Sequence, residues 1–451
     1  MFKKGFYFGA STAGFQVEMG DDRAVDKNTD WYVWTKDALN AQNGLVSGDD
    51  PEAGCNYWFN YKQFHDLAQR AGMNMLRIGV EWSRIFPSAT FDCETAEDLE
   101  RIADKGALNH YREIMHDMKD RGIALMVNLN HFTLPLWLHD PIRVNRDRDL
   151  SCAGWLDKRV VREFEKYCGF MARHIDDLVD FWSTQNEPNV VAMPYNNIKM
   201  GFPPALISPE YQETALNNQM LAHRAGYDVI KAHSGKPVGC IYALGWPTGD
   251  ESVVEMAANA ELSRYLDLVK DKMDFLGVNY YSRIVVEKDA KGNVHTLPGY
   301  GQACAPNSIS RDNRITSDFG WEYYPEGLYN VLKFVAKRYQ VPLFVTENGT
   351  SDKQDGPRQA YLVSHMNMVE RLVEEGVDVR GYLHWSLVDN FEWASGYSQR
   401  FGLILVDFEQ KRLIPRGSYF LFKDMVEKNS TKDYEYLLKY SNNIFDEKNL
   451  K

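Results

Sequence analysis

The stretch Leu343-Phe344-Val345-Thr346-Glu347-Asn348-Gly349 decides the fold. It opens with three apolar residues and turns polar over the last four, and a short apolar run with such an end is typical of a strand buried in a parallel sheet. The stretch Trp182-Ser183-Thr184-Gln185-Asn186-Glu187-Pro188 also leads from a strand-like start to a glutamate. Both glutamates are therefore expected at the carboxyl ends of buried strands.

Strand-like runs of this kind alternate along the chain with longer segments of helical period. Leu108, Tyr111, Met115 and Met118, for example, repeat at three and four residues before Gly122. This alternation predicts parallel strands joined by crossover helices. Eight strands are predicted, at residues 6–13, 75–82, 124–131, 181–187, 238–243, 275–282, 343–347 and 381–386. We therefore expect an α/β protein with a (β/α)₈ TIM barrel.

Length and composition indicate a single domain. The chain has 451 residues, of which 44% are hydrophobic and 13% aromatic, so it can bury a large core. No stretch has the composition of a linker, and barrels with loop insertions exceed 400 residues as one unit. We expect one catalytic domain over residues 1–451, with the barrel at about 5–428, insertions at its C-terminal face and a tail at 429–451.

Charge and cysteine usage exclude several classes of partner. The formal net charge of −12 is spread along the chain without a basic arm, which argues against nucleic acid as a partner. The sequence shows no long uncharged apolar span of the kind that predicts a membrane segment. The six cysteines lie far apart without metal-ligand spacing, which favours buried thiols in a reducing compartment. We expect a soluble, cytoplasmic protein.

Polar residues at the predicted strand ends are the functional candidates, because the active sites of such barrels lie at the carboxyl ends of the strands. Glycoside hydrolysis needs two carboxyl groups, and Glu187 and Glu347 supply a pair. The candidates at or just beyond strand ends are Gln16, Arg77, His131, Asn186, Glu187, Asn279, Tyr281, Glu347, Trp385 and Glu392.

Several of these candidates also have a purely structural interpretation. Arg77 interrupts an apolar strand, so inside a barrel it needs a carboxylate partner. Glu81 is one alternative, although side chains four apart on a strand lie too far apart to pair directly. His131 could equally be a structural hydrogen bonder, and Asn279 and Tyr281 could be ordinary strand-end residues. Alone, these residues do not decide the function.

A cluster of aromatic residues follows the eighth strand. Trp385, Phe391 and Trp393 alternate with polar side chains, which is unusual for a core segment. Sugar rings present C–H faces that lie against indole rings, while their hydroxyls need carboxylate or amide partners. This pattern favours a sugar site over an exposed aromatic rim.

Nine stretches in order along the chain resemble glycoside hydrolase family 1, most closely its archaeal-type β-glycosidases. The resemblance runs essentially from end to end. The stretches are FGASTAGFQ (8–16), RIGVEWSRIFP (77–87), HDPIR (139–143), NEPN (186–189), GFPP (201–204), GVNYYS (277–282), GWEYYPEG (320–327), TENG (346–349) and residues 384–402.

The resemblance implies a retaining mechanism with Glu187 as acid/base on the fourth strand and Glu347 as nucleophile on the seventh. Retention requires carboxyl groups roughly 5 to 5.5 Å apart, because the nucleophile must reach the anomeric carbon itself. Arg77 and Tyr281 are expected to keep Glu347 ionised, and that charge is expected to hold the proton on Glu187. Asn279 completes the catalytic set.

The resemblance also implies the binding residues. Trp321 is expected to form a platform for the leaving group. Phe132 stands where many relatives have tryptophan, so the preferred sugar epimer stays open. Gln185 stands where relatives are usually apolar and has no assigned role. The residues expected around the non-reducing sugar are Gln16, His131, Phe132, Asn186, Trp385, Glu392 and Trp393.

The expected activity is exo-hydrolysis of terminal β-D-glucosyl, β-D-galactosyl or β-D-fucosyl residues, with transglycosylation, on small β-glycosides and oligosaccharides. A β-mannosidase and a 6-phospho-β-glycosidase are the alternatives within the family, although the negative charge of Glu392 would repel phosphate. A non-catalytic sugar-binding protein is disfavoured because both carboxyl groups are present. No metal or cofactor is expected, and the resemblance suggests a homodimer or homotetramer.

Overall fold

Eight parallel strands close into a barrel in the computed structural model, which describes residues 1–440. Each strand pairs with its neighbours in sequence, and the eighth pairs with the first. The strands are β1 Tyr7–Ser11, β2 Met75–Gly79, β3 Ala124–Asn130, β4 Phe181–Asn186, β5 Val238–Ala243, β6 Phe275–Asn279, β7 Leu343–Asn348 and β8 Val379–Trp385. All eight predicted strands are confirmed, and most end slightly earlier than predicted because the polar residues at their ends leave the ladder.

A long helix precedes each of β2 to β8, and one more follows β8. They are α1 Tyr57–Arg70, α2 Lys105–Asp120, α3 Arg159–Ile175, α4 Pro209–His233, α5 Glu251–Ser263, α6 Pro325–Tyr339, α7 Gly356–Glu374 and α8 Gly417–Lys428. Shorter α-helices are Gly14–Val17, Asp30–Lys36, Ala38–Gln42, Trp82–Ile85, Ala96–Ile102 and Pro188–Ala192. The predicted (β/α)₈ architecture is therefore confirmed.

The helix α2 shows how the sequence sets these elements. Asp104 caps its start by accepting a hydrogen bond from the backbone N–H of Ala107. The apolar residues that repeat at three and four positions, Leu108 and Met115 among them, are all buried against the strands. Gly122, with a φ of 72°, follows its end in the left-handed region that glycine tolerates best.

Insertions and the chain ends complete the fold. Two small sheets are formed by Trp246–Gly249, Arg283–Lys288 and Val294–Thr296, and by Ile404–Asp407 and Arg412–Pro415. The predicted tail at 429–451 is described as far as residue 440, and its start is tied to α7 because Glu370 accepts hydrogen bonds from Ser430 and Thr431. Residues 441–451 lie outside the described part.

The cysteines agree with the sequence-based expectation in part. All six cysteines are free, and four are buried, while Cys152 and Cys304 are partly exposed. Within residues 1–440, no helix combines the length and apolar character that crossing a membrane requires.

Inward-facing side chains alternate along the strands and divide the barrel interior into two levels. At the amino-terminal end, six apolar side chains from six strands pack together, and we call this cluster the barrel floor. Its members are Met75, Met126, Ile241, Phe275, Phe344 and Leu383. Further along the same strands, polar side chains face the opposite opening, the barrel mouth. The predicted site residues lie there.

Candidate active site

Glu187 and Glu347 extend from the carboxyl ends of β4 and β7 into the barrel mouth, and both are buried. Glu187 has a φ of 49° and ψ of 55°, in the left-handed region, and it precedes the short helix Pro188–Ala192. Its backbone N–H donates to the carbonyl of Ile241 at 2.9 Å. Such backbone conformations are uncommon for residues other than glycine and concentrate at functional sites.

Arg77 of β2 is the cation that holds Glu347. It is completely buried, and its Nη2 donates to Oε1 of Glu347 in an ion pair. Tyr281 donates its hydroxyl to the other carboxylate oxygen at 2.6 Å. The carboxylate partner that the sequence required for Arg77 is therefore Glu347. Glu81 instead accepts hydrogen bonds from the N–H of Phe15 and the hydroxyl of Thr133.

Two asparagine amides connect the two glutamates. Asn186 accepts from Nη1 of Arg77 at 3.1 Å and from Nδ2 of Asn279 at 3.0 Å, so its oxygen must face these two donors. Asn279 also donates to Oε1 of Glu187 at 2.7 Å, and its own oxygen accepts from Thr346. The amide orientations follow from these partners. A continuous path of hydrogen bonds thus runs between Glu187 and Glu347.

Burial and mutual repulsion act on the protons of the pair. The pKa of Glu187 is raised to about 8, chiefly by burial and next by the negative charge of Glu347, against the hydrogen bond from Asn279. Burial also raises the pKa of Glu347, but the charge of Arg77 and the hydroxyl of Tyr281 oppose it. Arg77 and Tyr281 both bond Glu347, so we assign the negative charge to Glu347 and the proton to Glu187. Burial thus raises the pKa of Glu187 more than the charge of Glu347 does, whereas the sequence-based argument relied on that charge alone.

His131 lies beside this path as a neutral ring. Its Nε2 is 3.2 Å from Nδ2 of Asn186, whose amide orientation makes the imidazole nitrogen the acceptor. Burial and the nearby charge of Arg77 lower the pKa of His131 well below its ordinary value, in agreement with a neutral ring. The ring stacks near Trp385 and Trp393, with centroids 5.7 and 5.9 Å away.

Gln16 and Glu392 form a second polar group of the mouth. Nε2 of Gln16 donates to Glu392 at 3.3 Å, to Asn390 at 3.0 Å and to the carbonyl of Phe391 at 2.9 Å. Burial, and after it the charge of Glu347, raises the pKa of Glu392 to about 8. A raised pKa lowers the negative charge that Glu392 carries near neutral pH, which weakens the sequence-based argument that this charge repels phosphate.

Aromatic rings wall the mouth on two sides. Phe132 and Trp393 have left-handed φ values of 73° and 50°, and their rings lie 4.8 Å apart. On the other side, Trp321 lies 5.2 Å from the ring of Tyr281 and stacks on Phe319 at 4.7 Å. Contacts and hydrogen bonds thus bring every predicted site residue into one connected group.

Some residues of the group were missed by sequence reasoning. Asn390 and Thr346 fix the amides of Gln16 and Asn279, and Phe319 and Phe401 support Trp321. Asn390 and Thr346 stand within the family-like stretches, which was the available signal. Gln185 is buried, its amide finds no protein partner among residues 1–440, and nothing in the structure explains it.

Comparisons with known proteins give a family match and similarities over nearly the full length of the chain. The family model described as glycosyl hydrolase family 1 matches residues 1–264 and 255–431. A β-galactosidase of Saccharolobus solfataricus is 47% identical over 472 residues, covering 96% of each chain.

Two solved structures resemble the chain equally broadly. The β-glycosidase from the hyperthermophile Thermosphaera aggregans is 42% identical, with a TM-score of 0.93, over 97% of this chain and 99% of that one. A β-glucosidase mutant described as derived from a hyperthermophilic tetrameric structure is 44% identical, with a TM-score of 0.95, over 98% and 99%. The similarity therefore includes both the barrel and its mouth.

Proposed function

The chain belongs to glycosyl hydrolase family 1 and is a glycoside hydrolase, and from this we propose that it is a retaining, exo-acting β-glycosidase that uses Glu187 and Glu347. The observation that carries the assignment is the buried path from Glu187 through Asn279, Asn186 and Arg77 to Glu347. It gives the two carboxyl groups different partners and therefore different roles.

In the first half-reaction, Glu347 attacks the anomeric carbon while Glu187 gives its proton to the leaving oxygen. The bond from the anomeric carbon to the leaving group breaks, and an ester to Glu347 forms. We assign Asn186, which like Glu347 accepts a hydrogen bond from Arg77, to the sugar hydroxyl next to the anomeric centre. That contact strengthens as positive charge develops.

In the second half-reaction, Glu187 acts as the base. Once Glu347 is esterified, it no longer carries the negative charge that raises the pKa of Glu187, so Glu187 can ionise. It then takes a proton from water as the water attacks the anomeric carbon and frees Glu347. A sugar alcohol in place of that water gives transglycosylation.

The substrate we propose is a neutral β-D-glucoside, β-D-galactoside or β-D-fucoside, or a small oligosaccharide of these. Relatives named β-galactosidase and β-glucosidase support this choice. Gln16 and Glu392 offer an amide and a carboxyl group to sugar hydroxyls, and the groups that act on Glu392 are Gln16, Trp385 and Glu347, none of them a cation that would bind phosphate. Phe132 keeps the mannoside as the second candidate, because it removes an indole N–H from the pocket.

The proposals for assembly and location rest on one structural neighbour and on the cysteines. The β-glucosidase mutant among the structural neighbours is derived from a tetrameric structure, which supports a homo-oligomer for this chain. A cytoplasmic location fits the free cysteines.

The test of the substrate is a panel of p-nitrophenyl β-D-glucoside, galactoside, fucoside, mannoside and 6-phosphoglucoside assayed side by side. We expect the highest kcat/KM on one of the first three. Turnover of the 6-phosphoglucoside alone would overturn the neutral-sugar proposal, and no turnover of any member would overturn the hydrolase proposal.

The test of Glu187 is the leaving-group dependence of Glu187→Ala. A general acid contributes about 10²- to 10⁴-fold, so we expect a loss of that size with a methyl glycoside and a small loss of first-step rate with a dinitrophenyl glycoside. In the wild type, the protonated form is required, so kcat/KM on the poor leaving group should fall as pH rises through about 8, the pKa of Glu187. Equal losses on both substrates would contradict the role.

A further inference from the structure

Glu322 follows Trp321 directly and is a completely buried carboxylate outside the catalytic group. Arg283 holds both of its oxygens, with Nε donating to Oε2 at 2.7 Å and Nη2 donating to Oε1 at 3.0 Å. This fork-to-fork geometry fixes direction as well as distance. Burial of an ion pair rarely gains net stability over an apolar contact, so the value of this pair lies in the geometry it imposes.

Two further groups donate hydrogen bonds to the carboxylate of Glu322. The hydroxyl of Ser310 donates to Oε1 at 2.6 Å, and the backbone N–H of Gly301 donates to Oε2 at 3.0 Å. These donors come from two separate turns of the insertion that follows Arg283. We call Glu322, Arg283, Ser310 and Gly301 the Glu322 latch. The latch thus holds parts of the insertion that follows Arg283 around the side chain of Glu322.

The latch joins the segment of Trp321 to the segment of Tyr281. Arg283 stands two residues after Tyr281, and Ser282 between them donates its hydroxyl to the carbonyl of Glu322 at 2.7 Å. The hydroxyl of Tyr281 in turn bonds Glu347. The backbone at Trp321 and the carboxylate that attacks the sugar are thus linked through the adjacent residues Glu322, Ser282 and Tyr281 and the hydrogen bonds that these residues make.

Hydrogen bonds hold the backbone of Trp321, and its side chain is partly exposed. Its N–H donates to the hydroxyl of Ser317, and its carbonyl accepts from the N–H of Ser317 at 2.8 Å. Its ring is partly exposed and stacks on Phe319 with an interplanar angle of 14°. A flat, supported aromatic surface therefore flanks Tyr281 at the barrel mouth.

We propose that Glu322 is a positioning residue that sets the height and tilt of the Trp321 ring relative to Tyr281, and so selects β-glycosides whose leaving group presents a planar or ring face. The selection rests on the proposed glycosidase function, but the latch acts on binding of the leaving group and leaves the bond-breaking groups in place. Ring contacts of this kind change affinity by up to about tenfold.

The decisive experiment measures competitive inhibition by phenyl and methyl 1-thio-β-glycosides of the preferred sugar, which share one sugar and resist hydrolysis. In Glu322→Gln, one oxygen becomes an NH₂ group that faces donors, so the latch loosens. We expect the Ki of the phenyl compound to rise about fivefold to tenfold and that of the methyl compound by less than about twofold. An equal change of both Ki values, or no change, would overturn the proposal.

Two further variants keep the test decisive. Ser310→Ala removes a single hydrogen bond from Glu322 and should shift the phenyl-to-methyl ratio in the same direction by about twofold to threefold, even if Glu322→Gln fails to fold. Asp312→Asn alters a half-exposed partner of Arg283 but leaves the bonds to Glu322, and should leave the ratio unchanged. An unchanged phenyl-to-methyl Ki ratio in Ser310→Ala would contradict the proposed role of the latch. A changed ratio in Asp312→Asn would contradict it as well.

The outcome is separable from the proposed function. Wild-type hydrolysis of a nitrophenyl glycoside tests the glycosidase, whereas the Ki ratio tests the latch alone. If the wild type hydrolyses glycosides but the ratio stays constant in both Glu322→Gln and Ser310→Ala, only the inference about Glu322 fails.

Discussion

The two levels of the barrel interior are equally buried but differently built. The floor holds Phe344 and Leu383 among six apolar side chains with no polar group to satisfy. The mouth, a few residues further along the same strands, holds Arg77 and Glu347, which are also buried. Burial stabilises the floor by removing apolar surface from water, whereas in the mouth it raises the pKa of carboxyl groups. The same exclusion of water therefore serves stability at one level and chemistry at the other.

The difference is encoded within single strands. On β2, Met75 lies in the floor and Arg77, two residues later on the same face, lies in the mouth. On β7, Phe344 lies in the floor and Glu347 in the mouth. A substitution at one level should thus have consequences that its neighbour on the strand does not share.

The largest effect is expected from Glu347→Gly in the mouth. Without the attacking carboxylate, the covalent intermediate cannot form, and hydrolysis of aryl β-glycosides should fall at least about 10³-fold. Added azide should enter the vacated space, attack from the side opposite the leaving group and give an α-glycosyl azide, which NMR of the product identifies.

Glu187→Ala is the matched control, since it removes the other carboxyl group of the same pair. Azide should then attack the ester on Glu347 and give the β-glycosyl azide. The opposite pairing of variants and products would exchange the two roles, and a residual activity within about tenfold of wild type in Glu347→Gly would remove Glu347 from the mechanism.

An effect of intermediate size is expected from Phe344→Ala in the floor. Phe344 is completely buried and its ring lies 5.2 Å from Phe181 and 5.4 Å from Phe275, so truncation leaves a cavity and should cost about 3–5 kcal/mol of unfolding free energy. Denaturant unfolding measures the loss, and Phe344→Leu supplies a milder version that stays folded.

This variant sharpens the comparison because Phe344 is three residues from Glu347. The ratio of kcat/KM between glucoside and galactoside should stay within about twofold of wild type in the folded fraction. A changed ratio would mean that the floor also shapes the sugar site, and the separation into two levels would be wrong.

The sequence was sufficient for the features that depend on local pattern. The eight strands followed from apolar runs, and the site residues followed from the polar ends of those runs and from the family stretches. Glu187 and Glu347 belong to both kinds of evidence, which is why they stood out first. The barrel then necessarily brings their strand ends to one opening.

The features that escaped prediction depend on contacts between distant segments. The pairing of Arg77 with Glu347, 270 positions away, was expected only through the family resemblance. The orientations of Asn186 and Asn279 depend on partners from other strands and were not predicted. The left-handed backbone of Phe132 is likewise imposed by its surroundings, because its side chain prefers other conformations. The weight of burial in the pKa of Glu187 could not be known before its neighbours were.

The smallest effect is expected from Glu392→Gln, which tests whether the mouth costs stability. The folded pKa of Glu392, about 8, lies above its ordinary value of 4.5, so the folded state binds more protons than the unfolded state between these values. The contribution of Glu392 to stability is therefore complete below about pH 4.5 and is lost as pH rises through about 8. Removing the carboxyl group should make the variant more stable relative to wild type at about pH 9 than at about pH 5. Because the residue is partly exposed, this difference should be no more than about 1 kcal/mol, or roughly 1–2 °C in Tm. The exposed Glu409→Gln should show no such trend, and equal Tm differences at both pH values in Glu392→Gln would mean that Glu392 is already ionised in the folded mouth.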